Sequence, residues 1–84
     1  MSKKNKRENK DIYELVAANI KKYRKELGIT QAELAERVEL SHEFIRRIES
    51  KKGKKNFSIE TIFQIAVALN IDVKQLFDFP KDKN

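Results

Sequence analysis

Eighty-four residues make one small domain at most, and no cysteine is present, so neither a disulfide nor a thiolate-held metal can brace it. The net charge is +6, with 38% charged and 39% hydrophobic residues; no apolar run nears the about 20 residues that cross a bilayer. The charged N-terminus has no apolar segment behind it, so no disulfide scaffold, membrane span or secretory leader is expected, and the expected location is cytoplasmic.

The excess charge is concentrated. Residues 1–10 carry net +4 and residues 51–55 another +4, whereas 11–50 and 56–84 each stand at −1. A near-neutral body with two basic patches suits a polyanion whose phosphates meet it at defined places. The alternative is a solvated tail and a soluble loop.

Residues 1–10 are polar and aperiodic, and read as a disordered basic arm. The domain itself spans residues 11–79. Its first helix is expected from Ile12 to Glu26, with Asp11 as N-cap and a stripe of Ile12, Val16, Ile20, Tyr23 and Leu27 at helical spacing. Gly28 can take the left-handed conformation that ends it.

Thr30-Gln31-Ala32-Glu33 is a capping box, and the second helix runs to Val38 with Leu34, Ala35 and Val38 inward. Glu39-Leu40 breaks the pattern. Ser41 caps a third helix, His42 to Ser50, in which only Ile45 and Ile48 are spaced as core contacts, with Phe44 at one side. Its remaining positions, His42, Glu43, Arg46, Arg47 and Glu49, are polar and free for another task.

After the lysine-rich segment, Ser58 caps a fourth helix, Ile59 to Leu69, with Ile62, Ile65, Ala66 and Leu69 inward. Asn70 suits a left-handed helix end and Ile71 its apolar contact. Asp72 caps a fifth helix, Val73 to Asp78, stopped by Pro80; residues 80–84 read as a frayed tail. No segment reads as a strand. Five short helices with short connections make an all-α domain.

The segment Thr30–Glu49, T-Q-A-E-L-A-E-R-V-E-L-S-H-E-F-I-R-R-I-E, resembles the helix-turn-helix of the phage repressor and Cro type, the Xre family. Leu27-Gly28 before it, and F-S-I-E-T-I and A-L-N-I-D-V-K-Q-L-F after it, extend the likeness from Val16 to Phe77. The resemblance implies a five-helix repressor-like domain whose second and third helices form the helix-turn-helix. It also implies a transcriptional regulator with double-stranded DNA as partner.

By that resemblance, Ser41, His42, Glu43 and Arg47 fall where base edges are touched. Arg47 has the bidentate geometry for guanine, and Glu43 can accept from cytosine, repel a phosphate, or pair with Arg46 or Arg47. Gln31, Arg46, Ser50, Lys51, Lys52, Lys54 and Lys55 are the expected phosphate contacts, which fix register without reading sequence. Arg24 and Glu49 match positions that form a structural ion pair. Many relatives have glycine where Glu39 stands, so a left-handed turn there is strained by about 1 kcal/mol.

One helix reads only about four or five base pairs, so a homodimer on a palindromic operator is expected, acting as a repressor. Phe63, Leu76, Phe77 and Phe79 are candidates for its interface; equally, Leu76 and Phe77 can belong to the protomer's own core. The same scaffold serves antitoxins, whose main partner is a protein, and controllers of restriction–modification genes. Catalysis is not expected: His42 with neighbouring Ser41 and Glu43 on one helix does not converge on a substrate atom. Neither a cofactor nor a metal is expected.

Overall fold

The computed structural model describes residues 11–50 and 56–79. Within them the fold is all-helical: α1 (Ile12–Leu27), α2 (Gln31–Val38), α3 (His42–Glu49), α4 (Ile59–Leu69) and a 3₁₀ helix (Val73–Phe77). The expected basic arm, the four loop lysines and the C-terminal tail lie outside the described residues.

Each α-helix begins on the residue its sequence marks. Asp11, Thr30, Ser41 and Ser58 are extended and accept a backbone N–H from the first turn, and Glu33 completes the box on Thr30. Each such cap is worth about 1 kcal/mol. Three helices also end alike. Gly28, Glu39 and Asn70 adopt left-handed conformations with φ of 79°, 58° and 62°. The next residues, Ile29, Leu40 and Ile71, donate back to the carbonyls of Arg24, Ala35 and Ala66 at 3.3, 3.0 and 3.0 Å. Their side chains pack against the core, completing Schellman ends on α1, α2 and α4.

Every element contributes to one core. Val16 and Ile20 of α1, Leu34 of α2, Ile45 of α3, Ile65 of α4 and Leu76 of the 3₁₀ helix are its largest fully buried side chains. Burying each contributes about 1.5–3 kcal/mol. The last element differs from the expected fifth α-helix. It closes i→i+3 bonds, Gln75 N–H to the Asp72 carbonyl and Asp78 N–H to that of Gln75. Five residues leave little room for α-type bonds, so the tighter turn forms.

Two expectations about α1 fail at its ends. Ile12 and Leu27 are exposed, because as the first and last residues of α1 they lie at its two ends rather than over the core. Leu15, Ala17, Asn19 and Arg24 are buried instead. The third helix stops at Glu49, and Ser50 is its extended C-cap.

Candidate nucleic-acid interface

His42, Glu43, Arg46 and Arg47 of α3 face outward because three residues turn the chain between α2 and α3. Glu39 takes φ 58°, the Leu40 N–H returns to the Ala35 carbonyl, and Ser41 Oγ accepts from the Phe44 N–H at 3.0 Å. Ala35 is buried at the foot of this turn, where a larger side chain would push the helices apart.

Beneath α3, Ile45 and Ile48 are buried, and so is Glu49 at its end. Arg24 of α1 donates from Nε to Glu49 Oε2 at 2.7 Å and from Nη2 to Oε1 at 2.9 Å. Its remaining fork nitrogen donates to the Ile29 carbonyl at 2.7 Å. Both residues are only 8% exposed. The hydrogen bonds to Glu49 hold the guanidinium above its ordinary pKa, against the opposing pull of burial. The expected pair is therefore a buried bidentate bridge. Among the described residues no buried side-chain nitrogen or oxygen lacks a partner.

Gln31, expected at a phosphate, is half-buried and linked to α3. Its amide nitrogen donates to Glu49 Oε1 at 3.0 Å, and its oxygen lies 3.4 Å from His42 Nε2. It thus ties the start of α2 to both ends of α3.

The outward side of α3 carries Ser41, His42, Glu43, Arg46 and Arg47, all exposed. Glu43 is paired with Arg46, one of the readings open for it. Arg46 donates to its two oxygens at 3.2 and 2.6 Å. That contact draws the Glu43 carboxyl below its usual range and raises the Arg46 guanidinium. Arg47 makes no side-chain hydrogen bond within the described residues. Ser50 is half-buried at the foot of the helix, and Lys51, Lys52, Lys54 and Lys55 lie outside the described residues.

The candidates for association separate. Leu76 is 0% exposed and packed in the protomer's own core, so it does not face a second copy. Phe79 is half-buried, while Phe63 and Phe77 are exposed. Sequence reasoning missed Ile59 and Val67, one turn either side of Phe63 on α4 and 82% and 62% exposed. Their i, i+4, i+8 spacing was the available signal. Phe63 and Val67 also wall an open groove with Arg37, Val38 and Glu39.

Three structural contacts had no sequence signal. Asn19 on α1 is buried and donates both amide hydrogens to the carbonyls of Leu76 and Asp78, at 2.8 and 2.9 Å. Phe57 is buried and meets the Tyr13 ring edge-to-face at 5.3 Å. Arg37 reaches from α2 to the Ala68 carbonyl of α4 at 3.3 Å. No His, Cys, Asp or Glu group that could hold a metal ion occurs among the described residues, and no helix there is long and apolar enough to cross a membrane.

Residues 20–76 match the family described as Helix-turn-helix. The chain is 30% identical over 66 residues to an uncharacterised HTH-type transcriptional regulator of Sinorhizobium fredii, covering 79% of this chain and 83% of that one. It is 35% identical over 66 residues to the control protein C.SmaI of Serratia marcescens, covering 79% and 76% respectively. The fold superposes with a TM-score of 0.68 on SinR, the master regulator for biofilm formation, crystallised in complex with DNA. Identity there is 32%, covering 75% of this chain and 98% of that one.

Proposed function

The chain belongs to the helix-turn-helix family of Xre-type transcriptional regulators, non-enzymatic DNA-binding proteins, and from that membership we propose that it is a repressor that binds a palindromic operator as a homodimer. The observation that carries this reading is the two-sided build of α3. Ile45, Ile48 and Glu49 fix its inner side, and His42, Glu43, Arg46 and Arg47 stand bare on the other. An eight-residue helix is about 12 Å long and its width suits the major groove.

Arg47 is the guanine reader, with Ser41 and His42 beside it at the start of α3. Gln31 and Ser50 flank that row on the phosphate side, and Lys51, Lys52, Lys54 and Lys55 add sequence-independent grip. The likeness to SinR, crystallised in complex with DNA, supports duplex as the partner. Blocking polymerase by occupancy is the simplest consequence.

Dimerisation is supported by exposed apolar side chains that the fold does not use. Phe63 and Phe77 are among them. Two copies about 34 Å apart would each place an α3 in successive major-groove turns.

A mainly protein-binding role, as in an antitoxin, is the rival reading. Duplex affinity measured from about 50 to 200 mM salt separates the two. Several phosphate contacts make it fall by orders of magnitude, whereas an apolar protein interface is nearly indifferent. A flat salt response would reject the operator reading.

A further inference from the structure

Two of the charges on the outward side of α3 are engaged with each other. Glu43 and Arg46 sit three residues apart on the helix, and both carboxylate oxygens accept from the guanidinium, at 3.2 and 2.6 Å. Both side chains are more than half exposed, 56% and 57%, so the pair lies on the surface offered to a duplex. Glu43 also occupies the first turn of α3, where the helix dipole favours its ionised form. Arg47, one residue along, has no hydrogen-bonded carboxylate partner among the described residues.

A free arginine on this surface would grip any phosphate. Such contacts raise affinity for all sequences alike and carry no base information. A carboxylate that occupies the same fork competes with phosphate for the same N–H donors. Reading a cytosine amino group would require Glu43 to share oxygens already bonded to Arg46.

We propose that Glu43 is a positioning residue that limits sequence-independent DNA binding by holding the Arg46 guanidinium in a closed pair as α3 meets the duplex. Arg47 is then the α3 arginine left to act on bases. The proposal rests on the duplex-binding reading above and deepens it: an acid in the recognition helix sets how weakly the protein holds the wrong sequence.

The test uses the full chain as wild type, Glu43→Gln, Arg46→Gln and the double variant, with circular dichroism to confirm equal helicity. Affinity is measured against a random duplex and a selected duplex across a salt series. Glu43→Gln is expected to bind the random duplex more tightly, on the order of eightfold at 0.1 M salt, with the log–log salt slope steeper by about 0.9, the worth of one added phosphate contact. In the Arg46→Gln background the same change is expected to do little.

Three results would overturn the proposal. One is an unchanged random-duplex affinity and slope in Glu43→Gln. Another is a loss confined to the selected duplex, which makes Glu43 a base reader. The third is an equal gain with or without Arg46, which makes Glu43 a bare repulsive charge. Wild type binding neither duplex would instead remove the operator reading, and this proposal with it.

Discussion

Arg24 Nε and Nη2 meet the two oxygens of Glu49 at 2.7 and 2.9 Å, joining the last turn of α1 to the last residue of α3. Because Gln31 also donates to Glu49, one buried carboxylate gathers α1, α2 and α3. The orientation of α3 is thereby fixed by a polar clamp at its end as well as by Ile45 and Ile48 beneath it. Breaking a buried pair leaves an uncompensated charge. Arg24→Met should therefore destabilise the fold by about 3 kcal/mol in urea denaturation, and Arg24→Met/Glu49→Leu should recover most of that loss. A double variant as unstable as the single one would show that the clamp is not an isolated pair.

Asn19 secures the 3₁₀ helix. It is the side chain that answers the Leu76 and Asp78 carbonyls from α1. Asn19→Ala should cost about 1–3 kcal/mol, since a buried carbonyl loses its donor. Amide exchange near residues 73–78 should accelerate more than in α2. Uniform acceleration across the molecule would contradict a local role.

Glu39 holds φ 58° at the end of α2, where Asn70 holds a similar 62° at the end of α4. Asparagine tolerates that region at less cost than glutamate, and a negative charge at a helix C-terminus opposes the dipole. Glu39→Gly should stabilise the protein by up to about 1 kcal/mol, read as a higher urea midpoint at unchanged slope. A lower midpoint would show that the glutamate side chain contributes something the strain argument omits.

Arg47→Ala should cost about 1–3 kcal/mol of discrimination at one base position of a selected site, with little change on random duplex. Competition binding against single-base variants reads this directly. Equal losses on all sequences would make Arg47 a phosphate contact.

The helix ends were legible because their chemistry is local. A Ser, Thr or Asp before an apolar stripe, or a Gly or Asn followed by an isoleucine, makes bonds within a few residues of itself. The inner side of α3 was legible for the same reason, since Ile45 and Ile48 are its correctly spaced aliphatic residues. What could not be read depended on partners far along the chain. Asn19 finds carbonyls 57 and 59 residues away, and Phe57 finds Tyr13, neither of which leaves a period in the sequence. Leu76 stood open between core and interface until the packing of α1, α4 and the 3₁₀ helix enclosed it. Glu43 had two arginines within reach along the helix, Arg46 and Arg47, and side-chain placement pairs it with Arg46.

Whether paired copies of α3 enter the major groove with their exposed polar side can be read by selecting bound sites from a pool of random duplex DNA. The expected result is enrichment of an inverted repeat whose half-sites lie about one helical turn apart, centre to centre, or a multiple of it. Recovery of duplexes with no shared sequence, or of none above background, would contradict it.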